Sequence, residues 1–289
     1  MAKKKTKGRT SKRQKSEKTL LKLLGIALLA ITMIFAILFA TKQVTSESIA
    51  DIFRTATVPQ SITNDSENLL SVVIPDEKES ILVNYTGYTV SFNPALHIPN
   101  YVVYELTAQE TEGKEKRSDS FRRDNNIEGC PEPSDYTRSG FDRGHMAPAA
   151  DMKWSESAMR ESFFMTNICP QRHALNGGGW KRLEEKVRDW AVRDRQLIIV
   201  SGPIISDNPQ RLSSDVAIPE QFFKVILAPK ANRAIGFIYK NEGGQKKIER
   251  QAVSVDSVEN ATGYDFFHNL PDEIETSIEK SCNYIEWNN

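Results

Sequence analysis

The 289-residue chain is short of cysteine and histidine, lacks any internal repeat, and carries no net charge. Three cysteines, Cys130, Cys169 and Cys282, permit at most one disulfide within the chain. The odd count leaves one thiol over, and the sequence does not choose the pair. Cys169 and His173 have a spacing compatible with zinc, but a closed structural site needs four ligands and no others can be named. Without a repeat, solenoid and propeller architectures are excluded. The four histidines, His97, His145, His173 and His268, leave few candidates for proton transfer near neutral pH.

The zero net charge is an average over two unlike parts. Residues 1–19 carry nine Lys/Arg and one Glu, whereas residues 44–289 carry 27 Lys/Arg and 37 Asp/Glu. Met1–Thr19 has almost no apolar residues, so it cannot build a core. Leu20–Ala40 follows as an apolar run interrupted only by Lys22, which can snorkel to the interface. About 20 apolar residues match the hydrocarbon thickness of a bilayer. The positive flank predicts a single-pass anchor with its N-terminus in the cytoplasm and everything after Thr41 outside the cytoplasmic membrane, periplasmic or extracellular. A cleaved signal peptide is the competing reading, but the run exceeds the usual span of about 7–15 residues and no clean A-x-A site follows.

Residues 41–80, rich in Ser, Thr and charge, read as a stalk, and the globular domain is expected over 81–289. Tyr88–Phe92 and Tyr101–Leu106 have strand composition, as do residues 197–202, ended by Gly202-Pro203, and residues 222–228 and 234–239. Trp180, Leu183, Val187, Trp190 and Ala191 recur at helical spacing, and a late helix is expected over Pro271–Cys282. Strands on both sides of a central helix imply one α+β domain.

His145 lies in GFDRGHMAPAADM, residues 140–152. No packing rule requires consecutive Asp, Arg, Gly and His. If the piece is extended, Arg143 and His145 project to one side, presenting a planar fork for phosphate and a proton acceptor to one substrate. The bland alternative is a core histidine beside a local Asp142–Arg143 ion pair. Farther on, Asn176 and Glu184 stand at the head of the central helix. In one regular helix their directions would differ by roughly 80° and their axial positions by about 12 Å. They would share a broad side without both touching one ion. Asn176 has a hard oxygen suited to Mg²⁺, and Glu184 can orient the ion's waters. Alternatively, Asn176 is a helix cap and Glu184 a solvated helix residue.

DRGH at 142–145, TNICPQ at 166–171 and LNGGGWKRLE at 175–184 together resemble the DNA/RNA non-specific endonucleases, over roughly Tyr101–Leu270. Further echoes are R-x-x-x-F-R-x-D at Arg117–Asp124 and VAIPEQFFKV at 216–225. The resemblance implies a ββα-metal nuclease fold, with a mixed or antiparallel sheet and flanking helices. It implies Mg²⁺, with Mn²⁺ as substitute, and hydrolysis of DNA and RNA to 5′-phosphate and 3′-hydroxyl ends. His145 would be the general base, Asn176 the direct metal ligand and Glu184 the partner of the metal's waters. Arg143 would contact phosphate, and Arg117, rather than nearby Arg122 or Arg123, would neutralise transition-state charge. A nucleic-acid-binding protein of the same fold without turnover is the alternative. The oligomeric state is open, a homodimer included. An acidic domain is unusual for a nucleic-acid binder, so a local basic groove is expected from Lys114, Lys116, Arg117, Arg122, Arg123, Arg138, Arg143 and Lys153.

Overall fold

The computed structural model describes residues 69–288. The basic tail, the apolar run Leu20–Ala40 and most of the expected stalk lie outside them. Among the described residues no helix is long and apolar enough to cross a membrane.

The strands are β1 (Val72–Val73), β2 (Ile81–Asn84), β3 (Thr89–Asn93), β4 (Ile98–Thr107), β5 (Asp142–His145), β6 (Ile168–Gln171), β7 (Gln196–Ile204), β8 (Gln221–Ala228), β9 (Arg233–Lys240), β10 (Ala252–Val253) and β11 (Asp265–Phe266). The α-helices are α1 (Glu156–Glu161), α2 (Lys181–Asp194), α3 (Val255–Thr262), α4 (Asp272–Glu279) and α5 (Tyr284–Asn288). Seven strands form one sheet in the order β10-β9-β8-β7-β4-β3-β2, and every ladder in it is antiparallel.

The sheet is buried on both faces, which is why its central strands are almost continuously apolar. Side chains alternate across a strand. On β7, Leu197 and Ile199 join the core beneath α2, while Ile198 and Val200 join the core beneath α3 and α4. β8 divides likewise, with Phe222 and Ile226 on the first face and Phe223, Val225 and Leu227 on the second. The helix α2 seats Leu183, Val187, Trp190 and Ala191 on the sheet, each at most 1% exposed. Trp190 stacks on Phe237 and meets Trp287 edge-on, tying α5 to the same layer.

Two expectations change here. Within the segment read as stalk, Leu69 and Val72 are buried, and β1 pairs with β11. The strand β7 also does not stop at Gly202-Pro203: Pro203 stays paired with Phe222 and Ile204 with Gln221. The reason is local. The ladder to β4 ends at Ser201, so β7 has become an edge by the time it reaches Pro203, and a missing N–H there breaks no second ladder.

Candidate active site

Between the neighbouring strands β4 and β7 the chain inserts a β–β–α unit made of β5, β6 and α2. Its first strand is DRGH itself, extended as the sequence predicted, with His145 opposite Ile168 and Asp142 opposite Gln171. Gly144 sits where a Cβ would come within 2.4 Å of the Gln171 Oε1. Cross-strand crowding therefore demands the glycine. TNICPQ has an equally local reason. The Asn167 amide donates to the carbonyls of Ala147 at 2.9 Å and Ser162 at 2.8 Å, and its oxygen accepts the Ala147 N–H at 2.8 Å. That clamp fixes the chain just beyond His145.

The His145 ring lies against Phe121 and Phe163, at centroid separations of 5.3 and 5.0 Å. It is 8% exposed, and its Nε2 is sealed from solvent without a hydrogen-bond partner within the protein. Burial first, and the nearby Arg117 charge second, push its pKa down to about 3, with Asp119 opposing. The imidazole is therefore neutral at pH 7, the form that accepts a proton. Between the unfolded value of 6.5 and the folded value of about 3, the unfolded chain binds a proton that the folded chain does not. Stability from this group is fully present above pH 6.5 and falls as pH drops through that window. Urea unfolding at pH 7 and pH 5 is expected to show a loss of about 2 kcal/mol from this group. The loss should shrink in His145→Phe; an equal loss in both proteins would remove His145 as its source.

His145 lines a cleft of about 320 Å³ together with Arg117, Arg143, Asn176, Glu184 and Arg188. A somewhat larger hollow of about 390 Å³, beside Phe141, Arg172 and Asn241, has no histidine in its lining. The cleft at His145 thus unites all five residues singled out in the sequence.

Asn176 does not cap a helix. It belongs to a π-helical turn, Leu175–Trp180, that leads into α2, and Gly178 (φ −115°, ψ −107°) breaks the regular winding. The angle and rise expected for one continuous helix therefore do not apply, and the kink brings Asn176 and Glu184 onto one cleft. The Asn176 Nδ2 donates to the Asp142 Oδ2 at 2.9 Å, and the same oxygen lies 2.9 Å from the His173 Nδ1. A carboxylate only accepts, so the amide nitrogen must face Asp142 and the amide oxygen is left for another partner. Asp142 is thus engaged with the metal-ligand candidate and not in an ion pair with Arg143. His173 is exposed and Cys169 fully buried, and all three cysteines are free thiols.

Glu184 lies one turn into α2 above a charged cluster that the sequence reading missed. Asp151, with its side chain fully buried, accepts from the Arg188 Nη1 and the Tyr104 hydroxyl, each at 2.8 Å. Lys224, 1% exposed on β8, donates to the Ser201 Oγ at 3.1 Å and stands 4.8 Å from the Trp180 ring centroid. Burial raises the Glu184 carboxyl, opposed by the positive charges of Lys224 and Arg188, and burial likewise lowers Lys224. A single lysine inside the otherwise apolar FFKVILA was the available signal for this cluster.

The expected basic groove is narrower than the sequence suggested. Arg122 stacks on Phe164 and donates to the Arg160 carbonyl, and Arg123 pairs with Glu132. Arg117 lies over Phe163 beside His145, and Arg143 crosses Phe121 while its Nε donates to the Pro133 carbonyl at 3.1 Å. Lys181 and Arg188, from α2, complete the positive rim.

The donors fit a hard divalent cation: a neutral amide oxygen presented by Asp142, a carboxylate in the same cleft, and no thiolate in its lining. An antiparallel sheet with an inserted β–β–α unit, a histidine on the first strand and an amide at the helix entry is the ββα-metal architecture. The profile of the DNA/RNA non-specific endonucleases matches residues 65–273, and the chain belongs to that family. The match begins well ahead of Tyr101, taking in β1 to β3. The chain is 35% identical to the mitochondrial nuclease EXOG of Danio rerio over 207 residues, which are 63% of this chain and 60% of that protein. It is 31% identical to a nuclease of Nostoc sp. (strain PCC 7120) over 216 residues, 70% of this chain and 78% of that one. It spans between 56% and 65% of the length of the EXOG relatives from fish, frog, human and mouse. A solved chain of an EndoG/EndoGI complex superposes with a TM-score of 0.64 at 24% identity, covering 74% of this chain and 94% of that one.

Proposed function

We propose that this protein is a Mg²⁺-dependent endonuclease that hydrolyses phosphodiester bonds of DNA and RNA without sugar specificity, leaving 5′-phosphate and 3′-hydroxyl ends. The observation that carries the reading is that His145 shares one cleft with Asn176, Glu184 and three arginines. A phosphodiester resists attack because its anionic oxygens repel a nucleophile and in-line attack adds charge around phosphorus. Bound Mg²⁺, with Mn²⁺ as substitute, supplies a Lewis acid for a phosphoryl oxygen and the leaving O3′. Asn176 would hold it through its amide oxygen, with Glu184 facing the same ion. His145 takes the proton from the attacking water, and its burial between two phenyl rings keeps it unprotonated to do so. Arg117, Arg143 and Arg188 supply fixed positive charge for the substrate phosphate and the transition state.

Nicking of supercoiled plasmid and degradation of RNA are expected with Mg²⁺, to be abolished by EDTA and restored by Mn²⁺. Asp142→Ala releases the Asn176 amide and is expected to raise the Mg²⁺ concentration for half-maximal cleavage about 10–100-fold. Cleavage that persists in EDTA would remove the metal from the reading, and nucleic-acid binding without any cleavage would favour a receptor of the same fold. For location, we propose that Leu20–Ala40 tethers the enzyme to the cytoplasmic membrane with the catalytic domain outside. The full chain should sediment with membranes after high-salt washing and be released by detergent; release by salt alone would exclude the tether.

A further inference from the structure

On the face of the sheet opposite the catalytic cleft, three carboxylates meet. Asp256 and Glu259, three residues apart on α3, project to one side of that helix. Glu279, the last residue of α4, comes to the same point, so that one carboxylate oxygen from each lies within 4.8 Å of the others. Among the described residues, none of the three pairs with a lysine, arginine or histidine.

Glu279 makes this more than a surface acidic patch. It is 5% exposed, and its Oε1 is sealed from solvent with no hydrogen-bond partner. A buried carboxylate without a donor is normally excluded from a folded protein. Burial, then Glu259, Glu275, Asp256 and Asp265, push its pKa up to about 9. Every neighbour in that series repels a negative charge. Glu259 is already oriented, since its Oε1 accepts the Phe266 N–H at 3.0 Å. The surrounding backbone is built closely. Ser254 caps α3 by accepting from Ser257 N–H, and Gly263 ends the helix in the left-handed conformation, turning the chain into β11.

We propose that Asp256, Glu259 and Glu279 form a binding site for a divalent cation of the Ca²⁺ class, separate from the catalytic metal, which ties α3 and α4 together against β9. Hard carboxylate oxygens select Ca²⁺ or Mg²⁺ over softer metals. Mg²⁺ rarely occupies a cage made wholly of protein ligands, whereas Ca²⁺ accepts several carboxylates. The cation supplies the positive charge that no side chain provides, and it gives the orphaned Glu279 oxygen a partner.

The test is thermal unfolding of the detergent-solubilised full chain, stripped with EDTA and then titrated with Ca²⁺ alone. At a hundredfold excess over Kd, the melting temperature should rise by on the order of 5–10 °C. Asn176→Ala, which alters only the catalytic cleft, should keep that rise. Glu279→Gln and Asp256→Asn should abolish it. In EDTA, Glu279→Gln should melt no lower than the parent protein, because the amide preserves shape and carries no charge for Asp256 and Glu259 to repel. A melting temperature that Ca²⁺ leaves unchanged in the parent protein overturns the proposal. So does a rise that survives both carboxylate substitutions, or one that disappears in Asn176→Ala.

Discussion

His145→Ala is expected to lower the rate of plasmid nicking by about 10²–10⁴-fold, the range for losing a positioned general base. The substitution deletes a proton acceptor while leaving Asn176, Glu184 and the arginines of the cleft in place. Binding of nucleic acid and of Mg²⁺ should therefore persist. The ring occupies a niche between Phe121 and Phe163, so some stability will also be lost. Circular dichroism and a melting curve separate that effect from catalysis. Single-turnover cleavage at saturating Mg²⁺ is the deciding measurement. A variant that cuts within a fewfold of the parent protein would mean that another group, or hydroxide from solvent, removes the proton.

The second large effect concerns stability. Arg188→Ala is expected to destabilise the fold by about 3–5 kcal/mol, because it strands a buried carboxylate. Asp151 is fully buried, and among the described residues the Arg188 guanidinium is its only charged hydrogen-bond partner, with the Tyr104 hydroxyl as the neutral one. Arg188 is itself largely shielded, so screening by water discounts little of this. Urea denaturation at pH 7 reads the loss. Arg188→Met combined with Asp151→Asn should recover much of it, since both charges then leave together. If the single variant costs less than about 1 kcal/mol, the pair behaves as a solvated surface bridge. Because Arg188 also lines the cleft, its loss should reduce cleavage even where the protein stays folded.

Much of the architecture was readable along the chain. The strand over Gln221–Ala228 and the helix over Lys181–Asp194 follow from local composition and a 3.6-residue period, and both fall within a residue or so of expectation. His145, Arg143, Arg117, Asn176 and Glu184 were identified from DRGH, LNGGGWKRLE and the upstream arginine motif, and they line one cleft. Other features needed information that no local pattern holds. No motif along the chain singled out Lys224, whose place between Trp180 and Glu184 comes from the packing of β8 beneath α2. The alternative of a local Asp142–Arg143 ion pair is removed only by the strand, since alternation across β5 sends the two side chains to opposite sides. The strand β7 was expected to stop at Pro203. Only the register of β4 against β7 reveals that the proline falls where one ladder has already ended.

By itself the sequence determined the main strands, the central helix and the five residues on which the chemistry is proposed to rest, because these depend on periodicity and on short contiguous motifs. Tertiary structure alone decided how those residues are held and charged. It joined Asp142 to Asn176 and His173, enclosed His145 between Phe121 and Phe163, and set Asp151 against Arg188. It also gathered Asp256, Glu259 and Glu279. The physical reason is that desolvation and Coulomb interactions depend on distances between side chains far apart in the chain, and those distances exist only once strand register and helix packing are fixed.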